Sequence, residues 1–178
     1  MFAIVLAALD RSGSVLPILC AMAVHELAHI VMMLACGGQV RRLTLRFADL
    51  QIAASGLGYR QELLSALAGP LVNLICGAAF CMQRPSFVAY SLMLGIYNLL
   101  PVWPLDGGRV LRCALLARLP ITQAEHISEI VSFAACAVLL LIGVFLTFFR
   151  KSGLWPLGTA AYLTVRLLML ARRTDTVQ

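Results

Sequence analysis

The chain has 178 residues, 61% of them hydrophobic and only 12% charged, with a formal net charge of +6. Soluble domains hold about 45–50% apolar and about 25% charged residues, so this composition excludes a soluble globular protein and points to a polytopic membrane protein. The positive balance does not mark a nucleic-acid binder. Of 14 basic residues only Lys151 is a lysine, and most arginines lie between apolar segments, where charge sets membrane topology.

Residues 1–8 are apolar but too short to cross a bilayer, and read as the end of a first span. They lack a basic leader and run into Asp10-Arg11, so no cleavable signal peptide is predicted. Residues 15–36 form an uninterrupted apolar run of about the 20 residues that a membrane helix needs, ending at Gly37-Gly38. Inside it stands His25-Glu26-Leu27-Ala28-His29. Two histidines at i and i+4 share one helical face and suit two nitrogen ligands on a single Zn²⁺. The intervening Glu26 is placed to take a proton from a water activated there. Each ionisable residue at the centre of a membrane helix costs about 2.5–3.5 kcal/mol, which makes such residues functional candidates. The run reads as the core of a zinc hydrolase buried in the membrane.

Between residues 39 and 62 the character changes. Leu43, Leu45 and Phe47 alternate with Thr44 and Arg46, and the apolar phase then shifts to Leu50 and Ile52. Alternation with a break near Ala48-Asp49 predicts a small juxtamembrane β element near residues 43–53, as two short strands or one bulged strand. It reads either as a plain hairpin or as a substrate-binding edge.

Residues 63–82 are the next span, predicted to be interrupted at Gly69-Pro70 and carrying Asn73. A turn at Gln83-Arg84-Pro85 leads to a span over 86–100. That span runs into Asn98-Leu99-Leu100-Pro101-Val102-Trp103-Pro104-Leu105-Asp106-Gly107-Gly108, which cannot continue a regular helix. Broken backbone at membrane depth is tolerated only where protein or a polar cavity surrounds it. Residues 109–119 form a short basic amphipathic helix. Residues 130–149 and 154–170 are two further spans, joined by Arg150-Lys151-Ser152-Gly153. The whole predicts an all-α polytopic membrane protein, a bundle of about five to six transmembrane helices in a single domain, 1–178. The six cysteines (20, 36, 76, 81, 113 and 136) show no CxxC spacing and read as packing residues, not disulfides.

Placing the loop after the histidine helix in the cytoplasm puts Arg41, Arg42, Arg46, Arg60, Arg109, Arg112, Arg118, Arg172 and Arg173 on that side. Arg11, Arg84, Arg150 and Lys151 then fall opposite. Both polar segments approach the cytoplasmic face.

Catalytic zinc takes three protein ligands and keeps one open position. His126 sits in a polar stretch with Glu125 and Glu129 and reads as interfacial. Asp106 follows a proline-broken membrane segment and adjoins Gly107-Gly108, where the backbone permits close approach. It reads either as a ligand or as an N-cap of the helix that follows.

His25-Glu26-Leu27-Ala28-His29, Ala68-Gly69-Pro70-Leu71-Val72-Asn73 and the segment from Asn98 to Gly108, in that order, resemble the site-2 protease family of intramembrane zinc metalloproteases. The third segment is especially similar to the bacterial sporulation members, which release a membrane-associated sigma-factor precursor. The resemblance implies one Zn²⁺ held by His25, His29 and Asp106, with Glu26 as catalytic acid and base. It also implies substrate or backbone binding by Asn98 and Asn73, with Pro101 in the wall of the cleft. The implied activity is peptide hydrolysis in or near the transmembrane segment of a membrane-tethered protein. The implied setting is a bacterial cytoplasmic membrane, with regulatory membrane partners and no nucleic acid. Ala28 stands where glycine is frequent, the first segment is short, and neither a PDZ insertion nor a C-terminal nucleotide-sensing domain is seen. The rival reading is a non-proteolytic zinc-binding or transport protein.

Overall fold

The computed structural model describes residues 15–46, 49–55, 57–80, 85–149 and 154–175. The short first segment, the turn residues Gln83 and Arg84, Cys81, and the joint at 150–153 lie outside the described residues. The chain divides into two compact units, 1–99 and 100–178.

In the first unit, α1 spans Val15–Ala35, and its buried residues Ala21, His25, His29 and Met33 recur every four positions. That spacing keeps them on one slowly drifting face, while Leu16, Leu27, Val31 and Leu34 project outward. The helix ends in a Schellman turn. Gly37 adopts φ +81°, its N–H reaches the Leu34 carbonyl at 2.9 Å, and the Gly38 N–H reaches the Met33 carbonyl at 3.0 Å.

Strands β1 (Gln39–Arg46) and β2 (Asp49–Ser55) follow, paired antiparallel with Leu43 opposite Ile52 and Arg46 opposite Asp49. The expected alternating stretch thus lies within a two-stranded hairpin. The break in apolar phase falls where β1 ends and β2 begins, and the register irregularity sits instead between Val40 and Arg42.

Helix α2 (Tyr59–Ala79) starts with Gln61 bridging two elements. Its Oε1 accepts the Gly58 N–H at 2.9 Å, and its Nε2 donates to the Cys36 carbonyl at 3.0 Å beyond the end of α1. The predicted interruption at Gly69-Pro70 does not occur, and α2 runs straight through. Proline removes one helical hydrogen bond, and here α3 (Pro85–Asn98) packs directly against that point. A Cβ on Gly95 would lie 3.0 Å from the Pro70 carbonyl oxygen, and one on Gly77 would strike the Leu92 side chain. Small residues at such an interface let helix backbones approach closely in the membrane.

In the second unit, α4 spans Asp106–Leu116, so the amphipathic helix begins three residues earlier than predicted. Residues 101–105 carry the expected irregular backbone, with a cis Trp103–Pro104 bond and a fully buried Val102. The Trp103 N–H donates to Ser132 Oγ at 3.1 Å, and that hydroxyl donates to the Ser128 carbonyl at 2.8 Å. Ser128 and Ser132 belong to α5 (Ile121–Phe148), which starts before the polar stretch that sequence reading left outside the span. An Arg112–Glu125 ion pair at 2.9 Å ties α4 to α5. Helix α6 (Trp155–Asp175) packs on α5, where a Cβ on Gly143 would lie 3.0 Å from the Pro156 carbonyl oxygen.

Among the described residues, α1, α2 and α5 are long and apolar enough to cross a membrane, which marks an integral membrane protein. That is fewer than the five to six predicted. At 14 residues α3 is about 21 Å long, and α6 carries Arg166 near its middle. Of the described cysteines, Cys113 and Cys136 are buried as packing residues, Cys36 and Cys76 are half-buried, and Cys20 is exposed on α1.

Candidate metal centre

The four-residue spacing on α1 meets the same spacing on α2. Ser65, Gly69 and Asn73 lie on the part of the buried face of α2 that meets the α1 histidines. Gly69 is the point of closest approach. A Cβ there would collide with Nε2 of His29 and lie 2.6 Å from its Cε1 and 2.9 Å from Cε1 of His25. Only a residue without a side chain lets both imidazoles occupy that space.

Both rings are buried, and both are held at Nδ1. Nδ1 of His29 lies 2.7 Å from the Ser65 carbonyl oxygen. A carbonyl only accepts, so His29 carries its proton on Nδ1 and leaves the Nε2 lone pair for a ligand. Nδ1 of His25 lies 3.2 Å from the amide of Asn73. The two Nε2 atoms converge to 3.1 Å, with the rings nearly perpendicular at 84°. Two nitrogens bound tetrahedrally to one zinc at about 2.0–2.1 Å stand about 3.3 Å apart. The donor chemistry, the spacing and the hydrogen-bonded far sides of both rings fit a zinc ion. Glu26, the next residue after His25 on α1, is half-buried.

In the second unit, Asp106 is 8% exposed and occupies the first turn of α4, where a carboxylate is favoured by the helix dipole. It is not the N-cap, because Leu105 holds that position. Arg109 Nη1 stands 3.7 Å from its carboxylate. Gly108 brings this first turn down onto the preceding loop, since a Cβ there would lie 2.6 Å from the Trp103 nitrogen. Pro101 lies in the same loop, half-buried. His126, Glu125 and Glu129 are exposed on α5, as their interfacial reading requires.

Asn98 ends α3, half-buried, whereas Asn73 is 0% exposed and packs on His25. Sequence reading missed Ser65, Gly69 as a spacer, and Ser132. The signal for the first two was present, in the four-residue interval from Ser65 through Gly69 to Asn73.

An imidazole pair on the inward face of a membrane-length helix defines a helical membrane protein of the His-Glu-x-x-His class. Comparison with known proteins narrows that class. Residues 84–142 match Peptidase family M50. The chain is 28% identical over 138 residues to stage IV sporulation protein FB of Bacillus subtilis, covering 70% of this chain and 47% of that protein. It is 27% identical over 133 residues to a zinc metalloprotease of Methanocaldococcus jannaschii, covering 67% of this chain and 39% of that one. It thus spans about half or less of the relatives it matches. The fold superposes on a site-2 protease from Methanocaldococcus jannaschii with a TM-score of 0.69 at 20% identity, covering 94% of this chain and 83% of that one. Part of the chain thus resembles Peptidase family M50 in sequence, and its fold is similar to that of a site-2 protease.

Proposed function

We propose that this protein is an intramembrane zinc metalloprotease that hydrolyses a peptide bond in or near a transmembrane segment of a membrane-tethered substrate. The observation that carries the reading is the convergence of Nε2 of His25 and of His29 to 3.1 Å within a membrane-length helix. In this reading His25, His29 and Asp106 hold one Zn²⁺, and both units act together as one catalytic domain. Helices α3 and α6 add a shorter and a more polar crossing to the three apolar spans, giving a bundle of at least five.

The metal, when bound, supplies Lewis-acid polarisation and makes a water acidic enough to lose its proton near neutral pH. Glu26 accepts the proton from the attacking water and returns it to the leaving amine. Asn98 donates its amide hydrogens toward the developing oxyanion. The 101–105 loop, Pro101 included, forms a wall against the unwound substrate. The edge of the β1–β2 hairpin takes up the substrate's freed backbone groups, which are costly to leave unpaired in lipid. The site opens toward the cytoplasm in the orientation that the arginine distribution favours. A sigma-factor precursor is one substrate of the required kind, given the similarity to the sporulation protein.

The test is reconstitution of the purified chain in lipid with single-span membrane proteins, with and without a zinc chelator, beside a Glu26→Gln variant. Cleavage should require zinc and vanish in Glu26→Gln while zinc stays bound. Zinc binding with no cleavage of any single-span substrate would favour a metal-handling protein instead.

A further inference from the structure

Asn73 is fully buried, and its Nδ2 stands 3.2 Å from Nδ1 of His25. With the amide so turned, Asn73 donates to Nδ1, and His25 carries its own proton on Nε2. His25 then donates to Nε2 of His29 at 3.1 Å, and His29 donates from Nδ1 to the Ser65 carbonyl at 2.7 Å. Every ring nitrogen is satisfied in this relay, yet Oδ1 of Asn73 is left buried without a partner. Turning the amide over exchanges its oxygen and nitrogen, a choice fixed by the surrounding hydrogen bonds. Oδ1 then accepts from Nδ1–H of His25, and Nε2 of His25 presents a lone pair beside that of His29. Two such lone pairs repel at this distance unless a cation sits between them.

We propose that Asn73 is a positioning residue whose amide orientation selects the His25 tautomer, donating to Nδ1 without metal and accepting from it with Zn²⁺ bound. The inference rests on the reading that His25 and His29 hold zinc. It assigns Asn73 to the metal rather than to the substrate. Asparagine suits the task because its amide offers a donor and an acceptor in one plane. Aspartate only accepts, and leucine does neither.

The experiment uses the full chain labelled with ¹⁵N-histidine, which carries three histidines in all. Imidazole ¹⁵N spectra with EDTA and with Zn²⁺ are combined with chelator-competition titrations of zinc affinity. In the native chain His25 should pass from the Nε2–H to the Nδ1–H form on zinc addition, while His29 keeps Nδ1–H throughout. Asn73→Asp should hold His25 as Nδ1–H even with EDTA and bind zinc at least as tightly. Asn73→Leu should bind zinc about 10–100-fold more weakly, the usual cost of losing the group that orients a histidine ligand. One His25 tautomer in both states of the native chain, or native zinc affinity in Asn73→Leu, overturns the proposal. Should Asn73→Leu not fold, the nearly isosteric Asn73→Asp and the native spectra still decide. Undiminished zinc binding in His25→Ala would sink the zinc reading itself, a separate failure.

Discussion

Gly69 and His29 occupy space that no Cβ can share: built on Gly69, that atom would overlap Nε2 of the imidazole. The inward face of α2 is therefore cut to admit the two histidines of α1, and their aim depends on it.

Replacing Gly69 by alanine removes that clearance. Alanine is the better helix former by about 1 kcal/mol, so α2 itself should not suffer. Overpacking costs about 1–3 kcal/mol, and here it falls on the imidazoles. Zinc affinity in Gly69→Ala should drop about 5–140-fold, since each 1.4 kcal/mol is a factor of ten. Chelator competition measures this, with circular dichroism to follow helix content. Native affinity in a fully helical variant would show that the close approach of α1 and α2 does not aim the ligands.

Asp106 has two separable effects. As a first-turn carboxylate on α4 it contributes about 0.3–1 kcal/mol through the helix dipole. As a third zinc ligand it would matter far more to metal retention. Asp106→Ala should lose zinc on dialysis while its melting temperature without metal shifts little. Full zinc content with only a small loss of stability would leave Asp106 as a helix-start residue alone.

Local patterns carried much of this. The histidine pair of α1 is legible because metal spacing and membrane length are both written in consecutive residues. The hairpin shows in alternation, and the broken segment before Asp106 shows in Pro101, Pro104 and the glycines. Other features depend on what packs against what. Pro70 reads as a helix breaker, yet α2 passes through it where α3 lies close, and tertiary packing overrides local propensity. The polar residues 123–126 read as an interfacial stretch ahead of the span, but they belong to the first two turns of α5, where Glu125 pairs with Arg112. The contact between Asn73 and His25 is not legible, because sequence does not reveal which side chain faces Asn73.

Ser132 holds the loop before α4 in place. Its hydroxyl accepts the Trp103 N–H and donates to the Ser128 carbonyl, which keeps a backbone donor paired where the chain is not helical. In Ser132→Ala that N–H loses its partner, at a cost of about 1–3 kcal/mol. Thermal unfolding should begin at a lower temperature, and Trp103 fluorescence, read in a Trp155→Phe background, should shift before helix content falls. An unchanged unfolding curve would mean that the loop is held by packing around Val102 alone.

In the proposed reading the hairpin serves substrate binding and not metal binding. In β1, Thr44 lies opposite Gln51, and proline there removes a backbone N–H and restricts the strand. The helices of the first unit do not depend on that ladder, since α1, α2 and α3 pack on one another directly. Thr44→Pro should therefore keep native zinc affinity and helix content. If the hairpin edge receives the unwound substrate, cleavage of a single-span protein should fall at least tenfold, mainly as a rise in KM. A substrate segment already lacking helical structure should be less affected, because it needs less help to stay extended. Normal turnover of the helical substrate by Thr44→Pro would remove the hairpin from substrate binding and leave it as a surface ribbon.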